Sequence, residues 1–353
     1  MPAAHEAVPL AEVIGRQRRA CERIGSGLYV TLLDAMAADV DGDGPCAPVL
    51  RAHEGDSLGS ALALRFLGAV HWLVLAGEAP DLARHYPSAG GKPGPSLAAD
   101  FRAMVAARSA DIEARIERPV QTNEVGRSAI LAPGYVEVAR RSRLPLRILE
   151  VGASAGLNLR WDHFWYDTGE SSFGDPASPV RFEGVWRGEA PRFDGVEVEV
   201  AERAGCDASP IDVSTEEGRL RARSYVWPDQ LDRHERLDAA LSVAARVPAT
   251  IDEGDLGAWA EARLAEPAPG LATVVAHSIV WQYVAPPSRD RLRFALRRAG
   301  VAATPEAPIA WLRMEPAGAV ADLRLTLWPG GEEHVLATSE YQGPPVYWTG
   351  TAG

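Results

Sequence analysis

The stretch "ILEVGASAGLNLR", Ile148–Arg160, decides how this chain is read. An apolar run, rich in strand-forming residues, ends in an acid at Glu150. Small residues then follow at every second position: Gly152, Ser154 and Gly156. Beyond them begins a stretch with helical character, "AGLNLRWDHFW". A strand that ends in an acid and turns at once through glycines into a helix is the local signature of a nucleotide site. A β-carbon in such a turn would keep a ligand away from the backbone, and the helix start carries free amides. The spacing discriminates between ligand classes. A dinucleotide fingerprint needs G-x-G-x-x-G and a phosphate loop needs G-x-x-x-x-G-K-[ST]; the run here is E-x-G-x-S-x-G, with neither pattern present.

Around this stretch the chain divides in character. Residues from about 10 to 118 read as helical: "LAEVIGRQRRACERI", "SLGSALALRFLGAVHWLVLAG" and "SLAADFRAMVAARSADIEARIE" carry apolar residues at helical spacing. From "LPLRILEVG" onward, short β-branched runs alternate with helical ones. Strands are expected at "RILEV", "EVEVAERAG", "RARSYVW", "TVVAHS", "IAWLRM", "LRLTLW" and "HVLAT". Helices are expected at "AGLNLRWDHFW", "RHERLDAALSVAARV", "DLGAWAEARLAE" and "SRDRLRFALRRAG". That alternation predicts an α/β fold, a doubly wound and mostly parallel sheet with an antiparallel edge. The expected organisation is an N-terminal helical domain over 1–119 and an α/β domain over 120–353.

Composition bounds the function. The chain has 353 residues, 46% hydrophobic and 24% charged, enough for a packed core. A net charge of −12 argues against gripping nucleic acid by its phosphates; the basic "RQRRA" near the start reads as a solvated helix side. Three scattered cysteines without a CxxC pair argue against a disulfide framework or a zinc site and point to a reducing cytoplasm. The N-terminus lacks the apolar core of a signal peptide, and "FLGAVHWLVLAG" is too short to span a bilayer, so a cytoplasmic protein without membrane association is expected. No metal site is expected. "DVDGDG" lacks the closing glutamate of a calcium loop, and "AHEGD" lacks the second histidine of a zinc-peptidase motif.

The run E-x-G-x-S-x-G resembles the first motif of class I S-adenosylmethionine-dependent methyltransferases, E/D-x-G-x-G-x-G, with Ser154 in place of the middle glycine. "GCDASP" is similar to the end of that family's second strand, and "RSYVWPDQ", "ATVVAHSIVWQYVAPPSRDRLRFALRRAG" and "APIAWLRMEP" follow in the order of its third to fifth strands. The last two strands resemble its closing reversed hairpin. The resemblance runs from about Val120 to the C-terminus. It implies a seven-stranded Rossmann-like sheet and S-adenosylmethionine as cofactor. Glu150, Gly152, Ser154 and Gly156 would frame the cofactor, Asp207 would hold the ribose diol and Asp229 the adenine. About fifty residues separate Gly156 from Asp207, more than the family needs, so an insertion is expected near 167–195. The whole chain also resembles a bacterial family of unknown function, through "GCDASPID", "SYVWPDQ", "HSIVWQY", "WLRMEP" and "LRLTLWPGG".

Three further groups carry chemistry. His277, at the end of the fourth expected strand, is the candidate general base; the alternative is that it bonds its neighbours and shapes the site. The loop "QTNEVGRS" gathers Asn123 and Arg127 where the resemblance implies the methionine end of the cofactor, and Thr122 or Asn123 is also placed to cap the following helix. "NLRWDHFWYD" crowds Trp161, Phe164, Trp165 and Tyr166, either as an acceptor pocket or as packing. A Pro-Cys pair and an [N/D]-P-P-[Y/F] tetrapeptide are absent, which removes the best-marked base-modifying classes. The expectation is methyl transfer to a small molecule. The rivals are an inactive binding protein of the same fold and a nicotinamide-dependent oxidoreductase.

Overall fold

The structure, a computed structural model, describes residues 8–56 and 60–350. The first three residues of the expected helix "SLGSALALRFLGAVHWLVLAG" fall outside them. The elements in chain order are α1 (Leu10–Ile24), α2 (Gly27–Gly42), α3 (Cys46–Arg51), α4 (Leu62–Leu75), α5 (Pro80–Ala83), α6 (Leu97–Ala107), α7 (Ser109–Ile116), α8 (Ser128–Ser142), β1 (Leu146–Val151), β2 (Trp165–Asp167), β3 (Ser172–Gly174), β4 (Arg181–Glu183), β5 (Val200–Asp207), α9 (Glu216–Ser224), α10 (Leu231–Ala244), β6 (Thr250–Glu253), α11 (Leu256–Arg263), β7 (Ala272–Ser278), α12 (Pro286–Ala302), β8 (Ile309–Ala317), β9 (Val320–Trp328), β10 (Glu332–Glu340) and β11 (Gly343–Trp348).

Two compact units share these elements. One is drawn from Met1–Thr122 and Ser214–Glu235, the other from Asn123–Val213 and Arg236–Gly353. The first is helical, with a core that includes Ile14, Tyr29, Leu33, Phe66, Leu73 and Phe101. It takes up α9, where the alternation in "RARSYVW" predicts a strand. Local capping overrides that pattern. The Thr215 hydroxyl accepts the Gly218 amide, Glu216 and Glu217 lie in the first turn, and Arg221 and Arg223 lie in the last, all complementing the helix dipole.

The second unit is built on an eight-stranded sheet in the order β11-β10-β9-β8-β7-β1-β5-β6. The five strands from β6 to β8 are parallel, and β8, β9, β10 and β11 then form an antiparallel meander. The two expected closing strands do pair antiparallel, β9 with β10 around Pro329, Gly330 and Gly331, but β9 is also antiparallel to β8, unlike the arrangement that the resemblance implies. Ala317 pairs with Val320 across a connection of two residues, Gly318 and Ala319. So short a link makes a hairpin and leaves no length for the crossover that a parallel strand requires. The third strand is the short edge strand β6, "TIDE", and β11 is an eighth strand beyond the seven expected.

Successive side chains of a strand alternate between faces. Leu149 and Val151 of β1 pack with Val275, Leu292 and Leu296 on the α12 side. Ile148 and Glu150 therefore face the α8 side. In α8 a β-carbon on Gly134 would meet Leu312 Cδ1 at 2.6 Å, so a bare residue lets that helix lie close to β8.

The insertion forms its own three-stranded sheet, β3-β2-β4. Leu157–His163 is a 3₁₀ turn, not the expected α-helix, with Arg160 out of helical geometry. The Arg160 guanidinium donates to the carbonyls of Ala155 and Gly156, which a regular helix would give to its own amides. Trp161, Phe164 and Tyr166 are fully buried. Trp161 lies stacked between Tyr135 and Phe173, so these aromatics form the packing of the small sheet.

Candidate functional site

The turn after β1 explains its own spacing. Gly152, Ser154 and Gly156 all have left-handed backbone, with φ of 73°, 54° and 65°. Glycine enters that region without cost, whereas serine enters it under strain. The bareness of the glycines is used first by the protein itself. A β-carbon on Gly152 would lie 2.3 Å from Val280 Cγ2, and one on Gly156 would lie 2.6 Å from Ile251 Cδ1.

Five amides of the turn are also engaged. Those of Gly152 and Ala153 donate to the Cys206 carbonyl at 2.8 and 3.1 Å, and that of Gly156 to Ala153 at 2.7 Å. The Ser154 amide donates to Asp207 Oδ2 at 2.9 Å, and the Leu157 amide to Asn123 Oδ1 at 2.8 Å. A turn with its amides spent in this way is a poor phosphate cradle, since anion binding at such turns relies on free N–H groups.

Two polar atoms in this turn are left over. Glu150 is 3% exposed, and its Oε2 is buried without a hydrogen-bond partner. Burial, helped by the charge of Asp207, pushes its carboxyl up to about 8 against the pull of Arg127 and Arg160. The Ser154 hydroxyl is likewise buried and unpartnered. Asp207, at the end of β5, accepts from the Ser154 and Ser209 amides, one on each oxygen.

The loop before α8 supports the turn. Asn123 caps the 3₁₀ turn at Leu157 rather than α8, while Glu124 accepts the Gly126 amide at 3.1 Å. Gly126 and Gly343 approach so closely that a β-carbon on Gly343 would lie 2.2 Å from the Gly126 carbonyl oxygen. That contact sets Arg127 beside the ends of β7 and β10. Its guanidinium donates to the carbonyls of Tyr341 and Ser278 at 3.0 and 3.1 Å.

His277 belongs to a different group. It pairs in register with Arg313 and is stacked on Trp281 with ring centroids 5.2 Å apart. It shares the α12 face with Val275, two residues before it, opposite the face of Glu150. Its Nδ1 lies 2.7 Å from Glu315 Oε1, and its Nε2 accepts the Trp311 indole N–H at 3.0 Å. Glu315 also accepts the amides of Val280 and Trp281. An indole nitrogen only donates, so Nε2 is the acceptor and Nδ1 carries the proton. Both ring nitrogens are thus engaged within the protein, Nδ1 as donor and Nε2 as acceptor. These rings border a cavity of about 340 Å³ that Arg293, Arg313 and Arg324 also line.

Asp229 belongs to the other unit. It lies in the helical unit, where Oδ1 accepts the Ser26 hydroxyl at 2.7 Å and Oδ2 the Leu28 amide at 3.2 Å, at the start of α2. The expected adenine role rested on a strand that is α9. The acids that close the third strand are Asp252 and Glu253 of β6, in register with Cys206 and Asp207. Arg160 and Glu315 were missed. Each had a signal in the sequence: Arg160 is a lone cation in an apolar turn, and Glu315 closes a strand as Glu150 does.

No helix among the described residues is long and apolar enough to cross a membrane. The cysteines at 21, 46 and 206 are buried and unpaired. Neither the curated proteins nor the solved structures offer a match to this chain. A family model described as "uncharacterized protein conserved in bacteria (DUF2332)" matches residues 11–348. With nearly the whole length covered, the chain belongs to that bacterial family.

Proposed function

We propose that this protein binds S-adenosylmethionine at the carboxyl ends of β1 and β5 and transfers its methyl group to a small-molecule acceptor. The observation that carries the reading is the buried Glu150 carboxyl with an unpaired oxygen, at the end of the central strand where the strand order reverses. Open α/β sheets bind ligands at that switch point. A buried polar atom without a partner is costly unless a ligand supplies one.

The residues fit the cofactor's groups. Glu150 would take its ammonium, and Asp207, a carboxylate that only accepts, would face the ribose diol. Arg127, held at the ends of β7 and β10, would face its carboxylate. Bound there, S-adenosylmethionine supplies a methyl group on a sulfonium. The spent amides of the turn favour a cofactor without phosphates over a nicotinamide dinucleotide. The net charge of −12 favours a small acceptor over nucleic acid.

A second reading, a binding protein of the same build without turnover, is favoured by the His277 clamp, which withdraws the expected base. Calorimetric titration with S-adenosylmethionine and S-adenosylhomocysteine tests the proposal, with Asp207→Ala as control. Binding that the Asp207 change abolishes is the expected result. A folded protein that binds neither ligand ends the cofactor reading. Binding with no turnover across an acceptor screen moves the function to the second reading.

A further inference from the structure

We propose that the cavity over β7, β8 and β9 on the α12 side is a second ligand site, built for a free α-amino acid with an apolar side chain. It stands apart from the cofactor reading, whose Glu150 faces the opposite side of the sheet.

The floor of this cavity sorts charge into rows. Trp311, Arg313 and Glu315 are alternate residues of β8 and share one face. Across the antiparallel pair Arg313 lies opposite Arg324, and Glu315 lies opposite Asp322. Like charges directly opposite one another destabilise a sheet. An exchange of the two β9 residues would have set each cation against an acid. The chain instead keeps a positive row beside a negative one, and all four side chains line the cavity. The rows adjoin, since Arg324 donates to Asp322 at 2.8 Å. Glu333 of β10 bonds both guanidiniums and offsets part of their repulsion. Burial still lowers the Arg313 guanidinium from its ordinary range, so its charge is held at a cost. Charges kept at a cost in a cavity mark a functional site.

A cationic row adjoining an acidic row is the counterpart of a zwitterion. An α-amino acid carries its carboxylate and its ammonium on one carbon. The carboxylate suits Arg313 and Arg324, planar forks of five N–H groups. Their bonds to Thr326, Glu333 and Asp322 use two groups on each. The ammonium suits the acids of the other row. Trp281 and Trp311, with ring centroids 6.1 Å apart, give an apolar wall for the side chain. The volume of about 340 Å³ is within the range of small-molecule sites.

Calorimetric titration of the full chain with L-leucine and L-phenylalanine tests this. Isocaproate and isoamylamine serve as leucine analogues, the first without the ammonium and the second without the carboxylate. Leucine is expected to bind, and each analogue about 10-fold more weakly, the effect of one lost charge-assisted contact. Arg324→Gln should weaken leucine and isocaproate alike. Asp322→Asn should weaken leucine and leave isocaproate no weaker, a crossing pattern that a merely structural role would not produce. Urea unfolding shows whether each variant is folded. A folded wild type that binds neither amino acid would overturn the proposal. Isocaproate binding as tightly as leucine, or wild-type leucine affinity in both folded variants, would overturn it too.

Discussion

The indole N–H of Trp311 donates to Nε2 of His277 at 3.0 Å, and this contact occupies the nitrogen that a base would use. With Nε2 accepting, the ring is locked as the Nδ1–H tautomer, donating to Glu315. Nitrogen-15 NMR is expected to show a pyrrole-like Nδ1 and a pyridine-like Nε2 at His277. The opposite tautomer would refute the clamp. Trp311→Phe leaves the buried Nε2 unpartnered and is expected to cost about 1–3 kcal/mol in urea unfolding.

Asp229 holds the start of α2 through Ser26 and Leu28. Asp229→Ala leaves a buried hydroxyl and an amide without their acceptor. A loss of about 2–3 kcal/mol of stability is expected. Affinity for S-adenosylhomocysteine in the folded variant should be unchanged. A selective loss of affinity at unchanged stability would restore Asp229 to the ligand site.

Glu150 makes stability depend on pH. Its folded carboxyl is raised to about 8 from its ordinary 4.5, so the native state holds a proton that the unfolded state releases. Its contribution is complete below 4.5 and is lost as pH rises through 8. His71 acts in the opposite sense. Burial, with His234 beside it, lowers its imidazole from 6.5 to about 3, so its contribution is present above 6.5 and is lost as pH falls. The two oppose each other between 4.5 and 6.5, and Glu150 alone acts between 6.5 and 8. In that upper window stability is expected to fall by up to about 1.4 kcal/mol per pH unit. Glu150→Gln should flatten the slope, as urea midpoints at several pH values would read. An unchanged slope in Glu150→Gln would place its origin elsewhere.

Gly174 closes the small sheet against Phe164. A β-carbon there would lie 1.8 Å from the Phe164 carbonyl oxygen, and the backbone is left-handed at φ 93°. Gly174→Ala is therefore expected to cost more than about 3 kcal/mol, since the obstacle is main chain and cannot rotate away. Proteolysis of the 165–183 region is the direct readout. Wild-type resistance in the variant would contradict the packing.

Much of the sheet was legible because burial imposes a pattern. β1 and β7 to β9 are apolar runs, and α10 to α12 carry helical spacing, close to where they were expected. The errors have local causes. "RARSYVW" alternates like a strand, yet the acids and the threonine before it cap a helix. "TIDE" is a strand with three of its four residues exposed, so it has almost no apolar signature.

The residues of Ile148–Arg160 by themselves determined a strand ending in a carboxyl and a turn of alternating small residues, because only small residues enter left-handed backbone at such spacing. The tertiary structure decided which side chains face one another. Alternation sets Glu150 and His277 on opposite faces of adjacent strands. His277 meets Trp311 and Glu315 only because β8, more than thirty residues later, lies beside β7. Asp229 went to the helical unit because its acceptors met donors at the start of α2, two hundred residues away. Sequence carries the periodicity that burial demands, whereas long-range hydrogen bonds are chosen when the chain packs and distant donors and acceptors are brought together.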